Sequence, residues 1–392
     1  MARTLPPRAH SSMLRRTPRL GALLALLVLL VAAAPVAAQR GQSGPAEHAN
    51  VKPVNHLPNP YETVRDFGIL PNGRSWGSVS AVNVDIDGIH IWAGDRCGAN
   101  SCAESGVDPI VKLDPDGNVV ASFGAGLITW PHGMDVDSEG NVWVADARSP
   151  NSGELERTPN APMNGHSVRK FSPTGELLMT IGVPGEEGAP PTHLNAPNDV
   201  LVAPDGSIFI GETHPSQYTD DVNAPTAISR VSKYAPDGTF IMSFGSWGYA
   251  DGQFRSPHSL AMDSRGRLFV ADRGNRRIQI FDQEGNHLDT WYQFSRNSGI
   301  FIDDDDVLYA IDSESDPNYN PGGWRKGLRV GSAVTGEVWY FVAEHMSERS
   351  SGMGGIGSMG EGVTADRDGN VYAGEVGPVQ GMTKFIPRLT RR

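Results

Sequence analysis

Short runs of alternating apolar and polar residues recur along most of the chain, and glycine-containing turns separate them. In one stretch, four such runs follow one another: His132–Asp137, Asn141–Asp146, Ser167–Phe171 and Leu177–Gly182. Alternation with a period of two predicts β-strands with one buried face, and the glycines between them predict tight turns. This stretch therefore predicts a unit of four short antiparallel strands.

The four-run unit occurs six times along the chain. The copies begin at Ser80, His132, Asn198, His258, Ser298 and Glu361. Repeated units of four strands are typical of a β-propeller, and six copies predict six blades. The last copy lacks a fourth run, and Glu62–Gly68 near the N-terminus resembles the missing one. We therefore predict an all-β, six-bladed β-propeller over residues 61–388, closed by an N-terminal strand that completes the last blade.

The connections between the strands are short on one face of this ring and long on the other. Strands 1 and 2 of a unit, and strands 3 and 4, are joined by short turns such as Asp205-Gly206 and Asp237-Gly238. The long insertions fall in the other connections: Arg96–Gly106, Ala147–Gly165, Val183–Ala196, Thr213–Ile228, Ser313–Gly327 and Ala343–Gly360. Because strand direction alternates, these long loops share one face, where functional residues are commonly found.

The start of the innermost strand carries candidate metal ligands in alternate blades. His132, His258 and Glu361 occupy this position in blades two, four and six. Every second blade of a six-fold ring is evenly spaced, so the three side chains would point at the axis from three sides. Two imidazoles and one carboxylate suit Zn²⁺ or a similar divalent ion and leave an open position for substrate. The alternative is that these residues are polar groups lining a wet central channel.

The end of the second strand carries an acid in every blade: Asp95, Asp146, Glu212, Asp272, Asp312 and Glu375. A residue type repeated in all six blades predicts a structural role, such as accepting hydrogen bonds from loop amides. Arg96 and Arg273 each follow one of these acids and should border the mouth at which the candidate metal site lies. Their guanidinium groups suit a substrate carboxylate, or they form salt bridges with the acids. His214 should also border the mouth, as a general base or as a solvated loop histidine.

The first 38 residues have the pattern of an export signal. A stretch with five arginines and no acid leads into the apolar run Leu20–Ala34, and small residues at 36–38 allow cleavage. We predict a signal peptide over 1–38, a flexible linker over 39–60 and a C-terminal tail over 389–392. The predicted location is periplasmic or extracellular, or membrane-anchored if the signal is not cleaved.

Charge and composition narrow the class of partner. The formal charge is −12 and becomes more negative without the leader arginines, so the folded part would repel nucleic acid. Glycine (46 residues) and proline (29) are abundant, as many turns require. The two cysteines, Cys97 and Cys102, would meet oxidising conditions after export, which favours a disulfide between them.

The repeats resemble NHL repeats, as in Leu268–Phe281, and the chain as a whole resembles the peptidyl-α-hydroxyglycine α-amidating lyase family. The resemblance covers about residues 62–387 and is strongest around Trp130–Asp137 and Ser256–Ala261. It implies a six-bladed propeller that cleaves a C-terminal α-hydroxyglycine into a peptide amide and glyoxylate. It also implies a metal, usually zinc, that is held by three histidines.

The family's site residues map onto this chain with three departures. Two of its histidine ligands fall on His132 and His258, whereas the third falls on Glu361; the family's methionine two residues earlier is Met359. Its two active-site arginines fall on Arg96 and Arg273. Its catalytic tyrosine falls near His214. The aspartate that binds structural calcium in the family is Gly362 here, so the resemblance does not support a calcium site.

We therefore expect an exported, metal-dependent lyase-like enzyme. It would act as a monomer on a small molecule or a peptide C-terminus, with no nucleic acid and, after signal cleavage, no membrane as partner. The metal would polarise a substrate hydroxyl, the two arginines would bind a neighbouring carboxylate, and His214 would accept the proton. Two alternatives stay open: a non-catalytic NHL propeller that binds a protein or glycan, and a gluconolactonase-type metal-dependent hydrolase.

Overall fold

A computed structural model describes residues 51–344, 359–377 and 380–388 of the chain. The predicted signal peptide, the first part of the predicted linker and the predicted tail at 389–392 lie outside these residues. In the described part of the chain, the strands form six separate four-stranded antiparallel sheets. This arrangement confirms the predicted six-bladed β-propeller.

β1 (Tyr61–Val64) precedes the repeats. Blades one to three consist of β2 (Val79–Val84), β3 (Ile91–Asp95), β4 (Ile110–Leu113) and β5 (Val119–Phe123); β6 (Pro131–Val136), β7 (Val142–Asp146), β8 (Ser167–Phe171) and β9 (Leu177–Ile181); β10 (Pro197–Val202), β11 (Ile208–Glu212), β12 (Arg230–Tyr234) and β13 (Phe240–Phe244). Blades four to six consist of β14 (Pro257–Met262), β15 (Leu268–Asp272), β16 (Arg277–Phe281) and β17 (His287–Trp291); β18 (Gly299–Ile302), β19 (Val307–Asp312), β20 (Gly327–Ser332) and β21 (Val338–Ala343); β22 (Gly362–Ala365), β23 (Val371–Val376) and β24 (Gln380–Pro387), with β1 as the fourth strand.

The N-terminal strand closes the ring as predicted. β1 pairs antiparallel with β24, with Tyr61 opposite Pro387 and Val64 opposite Lys384. The segment before β1 also contacts the propeller from residue 55 onwards. Asn55 Oδ1 accepts a hydrogen bond from Arg329 Nη2 at 3.0 Å. This part of the predicted linker therefore lies against the fifth blade.

Apolar side chains fill the interfaces between neighbouring blades. Between blades one and two, for example, Phe123 packs against Trp92 at 5.3 Å and against Phe171 at 5.2 Å between ring centroids. All three rings are buried. Burying such large rings supplies much of the free energy that holds one blade against the next.

The acids at the ends of the second strands hold the loops of the long-loop face. Asp146 accepts hydrogen bonds from the backbone N–H groups of Thr129, Trp130 and Gly165 at 3.0, 2.6 and 2.9 Å. Asp95 does the same for Gly77 at 2.6 Å. These contacts confirm the predicted structural role for Asp95 and Asp146, and they fix the chain as it enters the innermost strands.

The few helical segments lie in loops. α1 (Ser152–Arg157) begins after Asn151, whose side chain accepts a hydrogen bond from the Glu154 N–H. Short 3-10 turns occur at Pro71–Gly73, His214–Tyr218 and Arg273–Asn275. No helix in the described ranges has the length and apolar character that a membrane span requires. Cys97 and Cys102, in the loop after β3, form a disulfide.

Candidate metal centre

Two buried histidines are held in the same way on alternate blades. His132 and His258 are the second residues of β6 and β14, and both are buried. Their Nδ1 atoms donate to the backbone carbonyls of Asn198 and Ser298 on the next blade, each at 2.6 Å. Because a carbonyl only accepts hydrogen bonds, Nδ1 carries the proton and Nε2 keeps its lone pair. A second hydrogen bond of this kind is typical of histidines that bind metals.

Four potential ligands converge at this point. His132, His214, His258 and Glu361 each offer one nitrogen or oxygen atom, and these atoms lie within 4.8 Å of one another. Nε2 of His132 is buried and has no hydrogen-bond partner among the described residues. An unpaired buried nitrogen among further ligand groups fits a bound cation, since an orphaned polar atom would otherwise cost free energy.

Burial keeps the three histidines neutral. It lowers the pKa of His132 well below its ordinary value; the repulsion that a protonated His132 would meet from a proton on His258 and from the Arg96 guanidinium lowers it further. The pKa of His214 is also well below its ordinary value, because of burial and then the other two histidines. Burial and Arg273 lower the pKa of His258. Neutral imidazole is the form that binds metal ions.

Glu361 is held as a carboxylate by groups around it. It lies directly before β22, and its Oε1 accepts from Arg273 Nη1 at 2.6 Å and is 3.3 Å from His258 Nε2. Oε2 accepts from the Ser313 hydroxyl at 3.1 Å. Burial opposes ionisation, but Arg273 and the nearby histidines outweigh it and hold the pKa of Glu361 well below its ordinary value.

The guanidinium of Arg273 is buried and already contacts several protein groups. Its Nη1 contacts Glu361 and also His258 Nε2, each at 2.6 Å, and its Nη2 pairs with Glu314 at 2.5 Å. Its Nε donates to Gln217 at 2.9 Å. Burial lowers the pKa of Arg273, but the two glutamates outweigh this and raise it above its ordinary value.

Glu314 and its second partner, Arg296, were not among the site residues predicted from the sequence. Glu314 Oε2 accepts from Arg296 Nη2 at 2.8 Å, so this carboxylate bridges two buried arginines. A signal for it does exist. Glu314 lies two residues after the acid that ends β19, and His214 lies two residues after the acid that ends β11.

Arg96 has a different environment from Arg273. It donates to Ser80 Oγ and Asn100 Oδ1, each at 2.7 Å, and to the Pro131 carbonyl at 3.2 Å. All of these acceptors are neutral, and the guanidinium lies 3.6 Å over the centre of the Trp130 ring. Burial lowers the pKa of Arg96 to about 9, although Glu361 opposes this. The arginine is therefore a buried cation that can accept an anionic partner.

The remaining predicted positions are Met359 and the calcium position. Met359 is buried in the apolar cluster between blades five and six, with Ile311 and Val363. Its catalytic role stays a prediction. At Gly362, a Cβ atom would lie 2.1 Å from the Ser80 carbonyl oxygen, so a carboxylate cannot occupy this position without a backbone shift.

A cavity of about 890 Å³ is lined by the innermost strands of all six blades. Its lining includes His132, His258 and Glu361, and also the acids Asp137 and Asp366 of the turns that join the first and second strands. The candidate metal centre therefore lies on a central channel.

Residues 254–281 match the family model of the NHL repeat. The chain is 32% identical to human NHL repeat-containing protein 3 over 192 residues, which are 47% of this chain and 48% of that protein. It is 28% identical to Xenopus laevis peptidyl-glycine alpha-amidating monooxygenase A over 318 residues, 76% of this chain and 30% of the relative. It is 30% identical to the Caenorhabditis elegans protein named "Probable peptidyl-alpha-hydroxyglycine alpha-amidating lyase pgal-1" over 236 residues, 55% of this chain and 58% of the relative.

The chain thus spans about half, or less, of the length of the first two of these relatives. A solved structure of a gluconolactonase candidate aligns with a TM-score of 0.50 and 15% identity, over 86% of this chain and 97% of the other, which shows a shared fold. Together with the six blades, these findings confirm the resemblance predicted from the sequence. The protein is a six-bladed β-propeller that contains a match to the NHL repeat and resembles the peptidyl-α-hydroxyglycine α-amidating lyases.

Proposed function

We propose that this protein is a metal-dependent lyase that cleaves the C–N bond of an α-hydroxyglycine group, giving an amide and glyoxylate. The observation that carries the proposal is the pair His132 and His258, whose Nδ1 atoms are tied to carbonyls and whose Nε2 atoms face further ligand groups. The name of the Caenorhabditis elegans relative supports the same reaction. His132 and His258 would hold a divalent ion, with zinc as the first candidate.

A divalent ion at this position would act as a Lewis acid on the substrate hydroxyl. The chain's own residues supply the other steps. The hydroxyl proton moves to a base, the O–H electron pair forms the carbonyl of glyoxylate, and the C–N bond breaks. The departing nitrogen then takes up a proton and becomes the amide, so the reaction needs no oxidant or reductant. His214 and Glu361 are the members of the cluster that can accept the hydroxyl proton.

We assign the substrate carboxylate to Arg96 alone. The hydrogen bonds of this guanidinium go to neutral oxygens, so its positive charge can be balanced by a substrate anion. Arg273, in contrast, already contacts the carboxylates of Glu314 and Glu361. This differs from the sequence-based expectation that both arginines bind the substrate. Arg273 instead orients Glu361.

We also propose that the protein works outside the cytoplasm. The arginine-rich leader and the apolar run after it support export, and the Cys97–Cys102 disulfide suits an oxidising compartment. The substrate would be a peptide C-terminus or a small molecule bearing the same group, and the protein would act as a monomer.

The test measures metal content and product on the same purified protein. We expect about one equivalent of a divalent metal per chain, and release of glyoxylate from a peptide ending in α-hydroxyglycine. A matched assay with a sugar lactone separates this reaction from lactone hydrolysis. Protein without metal after gentle purification, or opening of the lactone without glyoxylate release from the peptide, would contradict the proposal.

A further inference from the structure

We propose that His214 is the third metal ligand and that Glu361 stays outside the coordination sphere. The ligand set would then be His132, His214 and His258, drawn from blades two, three and four. This inference rests on the proposed metal-dependent function and reverses the sequence-based roles of two residues. His214 becomes a ligand instead of the base, and Glu361 becomes the base instead of a ligand.

The first argument is the arrangement of the three rings. The ring centroids are 4.7 Å apart for His132–His258, 5.0 Å for His132–His214 and 5.2 Å for His214–His258. Zinc binds imidazole nitrogen at about 2.0–2.1 Å with tetrahedral angles, so the centroids of three bound rings should lie about 5 Å apart. The three rings thus form a nearly equilateral triangle of the size that one shared zinc ion requires.

The second argument is that the ring of His214 is held in position before any ion binds. His214 begins the 3-10 turn that follows β11, so its position is fixed by the end of a buried strand. Its ring packs edge-on against the rings of Trp130 and Tyr218, with ring centroids 5.7 and 6.1 Å away. Trp130 in turn is held by the N–H contact to Asp146. A ligand that is already oriented loses less entropy when a metal binds.

The third argument is that protein donors already use both oxygens of Glu361. Arg273 Nη1 donates to Oε1 and Ser313 donates to Oε2. A metal on Oε1 would bring a second positive charge to an oxygen that the guanidinium contacts at 2.6 Å. Arg273 Nη1 also touches His258 Nε2 at 2.6 Å. An ion at His258 must displace that one contact, while Glu361 and Glu314 still hold the guanidinium.

The fourth argument is the number of ligands. If all four cluster residues bound one tetrahedral ion, no position would remain for substrate, whereas catalytic zinc sites keep one open. One of the four must therefore stay outside, and Glu361 is the one with an ion-pair partner of its own. Each of its oxygens keeps a second lone pair beside the one that Arg273 or Ser313 uses, so the carboxylate can still accept the hydroxyl proton beside the metal.

The experiment compares zinc affinity and zinc coordination in the full chain and four variants. His132→Ala removes a ligand under either assignment, and His214→Ala and Glu361→Gln separate the two. His193→Ala is the matched control, since His193 lies on a loop of the same face with Glu186 as its neighbour at 3.4 Å. Affinity is measured by chelator competition, and X-ray absorption at the zinc edge counts the bound imidazoles.

We expect His132→Ala and His214→Ala each to lower zinc affinity by more than about 100-fold, beyond the usual effect of an outer-shell partner. Glu361→Gln should lower zinc affinity by less than about 100-fold and keep three imidazoles on the zinc, but it should no longer release glyoxylate. His193→Ala should match the wild type. Thermal unfolding by circular dichroism confirms that each variant is folded.

A second variant tests His214 if the alanine variant is unfolded. His214→Cys should retain zinc and add a zinc–sulfur distance of about 2.3 Å to the absorption spectrum. Absence of that sulfur shell, or wild-type affinity in His214→Ala together with loss in Glu361→Gln, would overturn the proposed ligand set. Zinc affinity that is unchanged in His132→Ala would instead contradict the metal centre on which the proposed function rests, and no zinc in the wild type would contradict the metal-dependent function itself.

Discussion

Replacing Asp146 tests whether the acids at the ends of the second strands fix the loops of the long-loop face. The side chain is fully buried and accepts three backbone N–H groups, from Thr129, Trp130 and Gly165. Asp146→Ala removes all three acceptors at once. The N–H groups then stay inside the protein without partners, unless water enters the space that the carboxylate leaves.

The expected loss of stability follows from these three bonds. A buried donor that loses its partner costs about 1–3 kcal/mol, and hydrogen bonds to charged groups lie in the upper part of that range. Wild-type Asp146 already bears a cost of its own, because burial raises its pKa to about 6 and its charge is therefore unfavourable at neutral pH. We therefore expect a net loss of about 3–6 kcal/mol in the free energy of unfolding.

Urea unfolding followed by tryptophan fluorescence measures this loss. Asp116→Ala is the control, since Asp116 lies in an exposed turn and its replacement should change stability by about 0.5 kcal/mol or less. Asp146→Ala should also weaken zinc binding, because Trp130 contacts both His132 and the Arg96 guanidinium. A loss below about 1 kcal/mol with unchanged zinc affinity would refute the view that these acids clamp the loops.

Three further predictions address the substrate, the pH dependence and the channel. Arg96→Met should lower kcat/KM for an α-hydroxyglycine peptide by about 100-fold or more, yet leave turnover of the carboxyl-amidated analogue nearly unchanged; equal losses for both substrates would contradict carboxylate binding. Burial raises the pKa of Asp199 from an ordinary 3.8 to about 7, so its contribution to stability is full only below about pH 4 and is lost as the pH rises from there through 7. Urea unfolding at pH 5 and at pH 8 gives the free energy of unfolding of the wild type and of Asp199→Asn. The wild-type value minus the Asp199→Asn value should be a few kcal/mol lower at pH 8 than at pH 5. The same difference at both pH values would contradict the reasoning. Gly362→Ala should destabilise the protein, because its Cβ would lie 2.1 Å from the Ser80 carbonyl oxygen; an unchanged melting temperature would show that the two innermost strands can separate.

Local patterns in the sequence predicted the fold and part of the site. Alternating runs and glycine turns predict strands, and register across six copies predicts that His132, His258 and Glu361 lie together, as they do in the cluster. The acid at the end of each second strand was predictable for the same reason, since each blade repeats the same connection after that strand.

The partners of the arginines were not predictable from these patterns. Arg273 follows Asp272 directly, yet Asp272 pairs with Arg277 at 2.8 Å, while Arg273 reaches Glu361 and Glu314. These partners come from other blades and from a long loop without a repeat. Side-chain direction at the end of a strand depends on the turn that follows, and the alternation of apolar residues does not contain that information.

The pairing of β1 with β24 has a consequence for how the chain folds. Tyr61 and Pro387 come from opposite ends of the propeller sequence, so the ring cannot close until the last strand is available to pair. Until then β1 and the open edge of β23 present unpaired backbone groups that can associate with other chains. Such a late, non-local step slows folding, because the entropy of closing a long loop must be lost before the final contacts form. Folding of this propeller should therefore be most vulnerable to aggregation just before its two ends meet.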